Sequence, residues 1–410
     1  EEKQQIIDKR SLGLCLHPLW PFCFPRHRPA KSNTIISRDW IPGSAIKAVL
    51  AETIKRKRGD LKGVQDIFDQ MRVTHARPVL KGQRQRPAAI PLSLAAIKNE
   101  DKGYELYDLA TQPAPGLIDG KAPAFQPDWK REVFGLARRY MGWPEPPPRI
   151  LQVRNAHDLD SRAAKNKQLY TVESILVHQG YDWLANIDFP DCSKKGELEQ
   201  LLDDFSDLFE QQDCYPLGRT KTPVALEIDS CGFRFKHEQG RLTEGDKLVI
   251  TLQSPTRLLH SEGLAVIFTT DGADALHLAY QQAFDELVEE EHVLELTHYF
   301  AQQELRGGNF WYKKYGAKTP DGYQAQVFTC AGSVFVFDIK DSKKAEEQIG
   351  RWRRLGLPQL KDAPGVKESS MKNSKRKLWE LNPWIRENGY GEIAVNQQLR
   401  YPSETEWKDV

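Results

Sequence analysis

No segment of this chain stays apolar for the roughly 18 to 20 residues that a membrane-spanning helix requires, which argues against membrane insertion. Metal-ligand spacing is missing as well. The six cysteines, Cys15, Cys23, Cys192, Cys214, Cys231 and Cys330, form no Cys-x-x-Cys pair and have no neighbouring histidine at ligand spacing, so no structural zinc site is expected. Without a secretory leader, reduced thiols in a cytosolic compartment are the natural reading. There is no P-loop, no Rossmann glycine pattern, no Gly-x-Ser-x-Gly elbow and no His-Glu-x-x-His. Nucleotide hydrolysis, dehydrogenase and hydrolase chemistry therefore lack their usual support. An excess of one charge is also absent: 58 Lys and Arg face 57 Asp and Glu, a formal net charge of +1.

That balance hides local asymmetry. Basic residues dominate from Lys47 to Arg86, whereas 197–213 and 285–295 are acidic. A groove for an anionic polymer, with protein neighbours elsewhere, produces such a distribution, and so do unevenly solvated faces. With 410 residues, 40% of them hydrophobic and 28% charged, the chain reads as a globular protein of two domains. We place them at residues 1–240 and 241–410. The chain begins at Glu1 without an initiator Met, so the expectation is that either the N-terminus was trimmed or residues precede it, with part of a first strand missing.

The most informative segment is Trp40-Ile41-Pro42-Gly43-Ser44-Ala45-Ile46-Lys47. Pro42 keeps its predecessor extended, Gly43 frees the backbone, and Ser44 is placed to cap a helix whose apolar residues Ile46, Val49, Leu50 and Ile54 recur at helical spacing. The unpaired amides of the first turn, together with Lys47 and the run Lys55 to Arg58, would face an anion. Pro-Gly-Ser is also ordinary capping grammar. Downstream, the loop Lys81 to Pro87 carries Arg84 and Arg86, and the Pro-rich stretch 144–148 reads as a connector. Arg154 to Gln168, with Arg162, Lys165 and Lys167, reads as a polar, cationic loop before a strand from Leu169 to Val177. An amphipathic helix follows around Leu201 and Phe205, then a turn at Gly218, Arg219 and Lys221 and a strand from Val224 to Ile228.

The order strand, helix, strands, helix, loop, strand suits an α+β ferredoxin-like sandwich. A second series repeats it loosely. Strands are expected at 248–252, 264–268 and 334–337, a helix from Ala273 to Glu290, and a glycine loop at Gly389 and Gly391 leading into Ile393 to Val395. The fold class is thus two tandem ferredoxin-like domains with insertions.

Three pieces together resemble the RAMP superfamily, the RNA-binding subunits of CRISPR effector complexes. They are Ile41 to Lys47, the Arg154-to-Glu173 stretch with its Leu169-Tyr170, and the loops at Gly218 and at Gly389 and Gly391. Within that superfamily, Cys23-Phe24-Pro25-Arg26-His27-Arg28-Pro29 leading to Asp39-Trp40 is most similar to the Csx-ten (Cas-five group) subunits of type III-D systems. Ala48 stands where the family usually has Gly. The resemblance implies a subunit that holds the 5′ handle of the CRISPR RNA. Its implied partners are CRISPR RNA, target RNA, the large polymerase-like subunit, the backbone RAMP subunits and the small subunit. The physical reading agrees, because single-stranded RNA is held by cations on phosphates and planar side chains under bases. Arg26, His27, Arg28 and Lys31 stand near Phe22, Phe24 and Trp40. A second mixture, Arg306 with Asn309 to Tyr315, fits RNA and a protein partner equally.

For chemistry, His157 beside Asp158 and Asp160 is the best acid–base candidate for an endoribonuclease. Asp158 and Asp160 are also the candidates for a Mg²⁺-assisted cut. A non-catalytic RNA-binding role without cofactors is the preferred reading. Lone histidines in basic loops more often bind than catalyse.

Overall fold

The computed structural model describes residues 10–26, 33–99, 103–111, 124–157, 164–177, 180–191, 195–210, 215–218, 220–238, 247–260, 272–290, 293–308, 312, 325–363 and 382–397. In chain order these form β1 (Ser11–Pro18), β2 (Thr34–Ile36), α1 (Gly43–Arg58), α2 (Gln65–Gln70), β3 (Arg72–Val73) and β4 (Arg77–Leu80). Next come β5 (Leu94–Asn99), β6 (Gly103–Asp108), β7 (Ala124–Phe125) and α3 (Arg131–Tyr140). They are followed by β8 (Arg149–His157), β9 (Ala164–Ile175), β10 (Tyr181–Asp188), α4 (Lys195–Glu210), β11 (Tyr215–Leu217) and β12 (Thr222–Asp229). The rest is β13 (Leu248–Leu252), α5 (Gly272–Val288), β14 (Leu294–Phe300), β15 (Gln303–Arg306), β16 (Gln326–Thr329), β17 (Val334–Ile339), α6 (Ser342–Leu355) and β18 (Ile393–Val395). No described helix is long and apolar enough to cross a membrane.

Two compact units emerge, residues 1–87 with 143–234, and 88–142 with 235–410. This differs from the division at 240, because the segment 88–142 packs with C-terminal residues. The Leu92 amide donates to the Gly332 carbonyl at 2.8 Å, and the Ala89 amide to the buried Gln253 Oε1 at 2.7 Å.

In the first unit, β1 alternates. Leu12, Leu14 and Leu16 face the helices, so Gly13, Cys15 and His17 share the opposite face. The antiparallel sheet runs β11-β12-β1-β10, with β3 and β4 both on β10. Taking β3 and β4 as one interrupted strand, the chain runs strand, helix, strand, strand, helix, strand, and the sheet order is 4-1-3-2. Ile46, Val49, Leu50 and Ile54 of α1 and Leu198, Leu201, Leu202 and Phe205 of α4 bury the sheet's core face. Trp183, fully buried, meets Phe22 edge-on at 5.2 Å.

A separate small sheet runs β2-β9-β8, with β2 parallel and β8 antiparallel to β9. Most of the stretch expected as a polar loop, 154–168, belongs to this long hairpin, whose register runs from Arg149↔Ile175 to Asn155↔Leu169 and shifts before His157↔Ala164. The cation density suggested a loop. On the ribbon Arg154 is exposed while β-branched Val172 and Ile175 are buried.

In the second unit the sheet runs β14-β17-β13-β18, again 4-1-3-2 in the order of its own strands, with α5 and α6 as the two helices. Phe284 of α5 packs edge-on against Phe335 at 5.1 Å and Phe337 at 4.7 Å. The strand expected at 264–268 lies outside the described residues.

Gly332 adopts φ +89°, and a Cβ there would fall 2.5 Å from the Ile90 carbonyl oxygen. Gly332→Ala is therefore expected to destabilise by about 1–3 kcal/mol, read by urea unfolding, and to speed proteolytic cleavage within 88–142. An unchanged midpoint would contradict the docking of 88–142 on this unit.

Candidate nucleic-acid interface

The turn before α1 holds where it was expected, but three of its amides, those of Gly43, Ala45 and Ile46, are already engaged within the fold. Pro42 takes the cap position without a side-chain cap, Gly43 is buried, and its amide donates to His75 Nδ1 at 3.1 Å. Ser44 is exposed and caps nothing. Lys47 is corrected too. Its ammonium donates to the Asp69 and Met71 carbonyls at 2.8 and 2.7 Å, so its charge sits at the C-terminus of α2, where a helix dipole favours a cation. Arg86, fully buried, donates to the His75 carbonyl at 3.1 Å and cannot meet a phosphate.

Just ahead of that turn lies a node that the sequence did not single out. The Arg149 guanidinium donates to the carboxylates of Asp39 and Glu173 and, at 3.1 Å, to the Ser37 carbonyl. The Asp39 carbonyl accepts the Trp183 indole N–H at 2.8 Å. Trp40 stacks on the His75 ring at 4.2 Å, and the Arg38 guanidinium lies 4.6 Å from the Trp40 ring centre. Trp40 is thus already engaged by two planar groups, and a base stacking there must compete with Arg38. Only the local run Arg38-Asp39-Trp40 before Pro-Gly signalled this site.

Three segments far apart in sequence converge around Phe24. Its amide donates to Ser37 Oγ at 3.0 Å, and its carbonyl accepts the Arg38 amide at 2.8 Å. Gly218, at φ +65°, leaves no room for a side chain, since a Cβ would fall 2.8 Å from the Phe24 ring. The Lys221 amide closes the turn on the Gly218 carbonyl at 3.2 Å, leaving the Lys221 side chain exposed. Arg26, whose amide donates to the Ile36 carbonyl at 2.9 Å, is half exposed and reaches Asp39 only at 3.8 Å. Neighbouring loops of the first unit therefore carry Arg26, Arg38 and Lys221 around an aromatic base.

Arg84 is exposed and pairs with Glu227 at 3.0 Å, a surface bridge that phosphate can displace. Arg154 is exposed on β8 and bonds Gln152 at 2.9 Å. Lys165 and Lys167 lie on β9, and His157 ends β8. His27, Arg28, Lys31, Asp158, Asp160, Arg162 and Arg219 lie outside the described residues.

In the second unit, Gly389 and Gly391 are buried, the latter against the Leu357 carbonyl, so both glycines sit inside the fold of this loop. Arg306 is largely buried, 5.3 Å from the Phe328 ring centre and 5.5 Å from that of Tyr390, with its charge met by Glu304 at 2.5 Å. Asn309, Phe310, Trp311, Lys313, Lys314 and Tyr315 lie outside the described residues.

No family model matches the chain, and no curated protein does. Solved structures do. The chain is similar to a chain of the type III-B Cmr-beta complex bound to cognate target RNA, at 12% identity over 82% of this chain and 94% of that one, with a TM-score of 0.36. It is similar to a chain of the Csm3–Csm4 subcomplex of the type III-A CRISPR–Cas interference complex, at 10% identity over 80% and 93%, with a TM-score of 0.38. It is also similar to Cmr4 from Pyrococcus furiosus, at 12% identity over 53% and 97%, with a TM-score of 0.25.

Arg149→Ala strips the partner from two half-buried carboxylates. It is expected to cost about 1.5–3 kcal/mol in urea unfolding. In a double-mutant cycle with Asp39→Ala the losses should fall short of additive; full additivity would contradict the node.

Proposed function

We propose that this chain is an RNA-binding subunit of a type III CRISPR effector complex, built of two tandem ferredoxin-like RAMP domains and of the Csx-ten kind found in type III-D systems. In this reading the first unit holds the 5′ handle of the CRISPR RNA, and the chain docks on the large polymerase-like, backbone and small subunits in the cytoplasm. The observation that carries the reading is the cationic rim on the loops around Phe24, Arg26 and Lys221 with Arg38 over Trp40, on the first of two units that share one order of strands and helices. Such a rim meets phosphates with guanidinium and ammonium donors and offers planar groups to unstacked bases.

Arg38 joins the RNA-contacting set and Lys47 and Arg86 leave it, because their donors serve buried carbonyls. Phosphate binding of this kind requires no cofactor. The alternative is an endoribonuclease acting through His157 or through Asp158 and Asp160 with Mg²⁺; Asp158 and Asp160 lie outside the described residues.

Binding is expected to be largely electrostatic. In the Arg26→Ala/Arg38→Ala double variant, affinity for handle-containing RNA should fall, and the slope of log K against log salt should shrink by about 0.7 for each phosphate no longer neutralised. Lys47→Ala should leave that slope unchanged and lower stability by about 1.5–3 kcal/mol. A double variant with unaltered affinity and slope would contradict the reading.

A further inference from the structure

The face of the first unit's sheet opposite α1 and α4 carries an unassigned cluster. Cys15 and His17 lie two apart on β1, and the Cys15 register partner on β12 is Glu227. Asp182 of β10 lies one step beyond the Leu16–Trp183 pair. A ligating atom from each of Cys15, His17 and Asp182 lies within 4.8 Å of the other two. His17 Nδ1 is 2.8 Å from Asp182 Oδ1, and His17 Nε2 is 3.3 Å from Glu227 Oε2. A neutral imidazole has one N–H and cannot donate to both carboxylates.

We propose that Cys15, His17 and Asp182 bind a divalent transition metal, zinc foremost, with water as the fourth ligand. A thiolate, an imidazole and a carboxylate are the mixed donor set zinc takes, and Zn²⁺ with one thiolate and one carboxylate is electrically neutral. The outer groups are in place. With Nδ1 on the metal, the Nε2–H of His17 donates to Glu227, the second carboxylate that fixes a ligating histidine's tautomer. The other Asp182 oxygen accepts the Gly82 amide at 3.2 Å, which orients the carboxylate. Arg84 holds the other Glu227 oxygen at 3.0 Å, keeping that carboxylate off the metal. Arg84 itself lies on an exposed loop.

Metal–ligand distances of about 2.0–2.3 Å put tetrahedral ligand atoms roughly 3.3–3.7 Å apart, so His17 Nδ1 and Asp182 Oδ1 must separate by roughly 0.5 Å or more. Binding releases the thiol proton to solvent, the single N–H of the neutral imidazole is carried on Nε2, and no electrons move. The half-exposed His17 gives metal and water access.

Full-length protein, stripped with chelator, is titrated with Co²⁺ alone and with Zn²⁺ alone. One equivalent should bind, and the Co²⁺ form should show a thiolate-to-metal charge-transfer band. Cys15→Ser should remove the band, His17→Gln should weaken binding at least about tenfold, and Glu227→Gln should weaken it about 10- to 100-fold. If Cys15→Ser does not fold, His17→Gln, at a half-exposed position, decides alone. Absence of stoichiometric binding overturns the proposal, as does a charge-transfer band and affinity that survive in the folded variants.

Discussion

One guanidinium organises the loops of the first unit. Arg149 donates to the Ser37 carbonyl, to Asp39 and to Glu173, and so ties the start of β8, the middle of β9 and the turn before α1 to one point. Everything in the proposed RNA rim hangs from that turn. Ser37 receives the Phe24 amide, Phe24 receives the Arg38 amide, Phe24 abuts Gly218, and Asp39 is pinned from beneath by the Trp183 indole. The planar fork of arginine suits this task, because two carboxylates and a carbonyl present acceptors in several directions. A lysine would offer a point charge without the fork.

The same structure shows why counting basic residues misleads. The stretch from Lys47 to Arg86 is the most cationic in the chain, yet several of its charges work inside the fold. Lys47 closes the end of α2, Arg58 binds Asp204 at 2.5 Å, Arg72 lies buried 3.7 Å from Asp188, and Arg86 sits beneath His75. A buried cation without acceptors is costly, so each finds a carbonyl or carboxylate. Among the described residues, Arg26, Arg38, Arg84 and Lys221 lie on loops that solvent reaches, and Lys55, Arg56 and Lys57 on α1 and Arg154 on β8 are exposed as well.

What was legible in the sequence was local. Ile46, Val49, Leu50 and Ile54 announced α1 by spacing alone, and the strands at 224–228, 248–252 and 334–337 followed from short β-branched and aromatic runs, whereas β1, β10, β14 and α6 were not anticipated. What depended on distant partners was not legible. No local feature says that Lys47 meets carbonyls 22 and 24 residues away, that Asp182 lies beside His17 across 165 residues, or that 88–142 joins a later unit through Gly332. Cys15 and His17 were passed over because zinc motifs are recognised along a chain as closely spaced pairs, and here sheet register brings Asp182 from another strand. The long β8–β9 hairpin was hidden by its cations, whose density reads as loop composition.

RNA is expected to meet the first unit on the loops around Phe24, and the rest of the functional reading stands on that contact. Ultraviolet crosslinking of the assembled ribonucleoprotein, followed by peptide mapping, tests it most directly. Crosslinked peptides spanning 22–40 and 215–222 are the predicted result; crosslinks confined to residues 235–410, or none on this chain while neighbouring subunits crosslink, would contradict it.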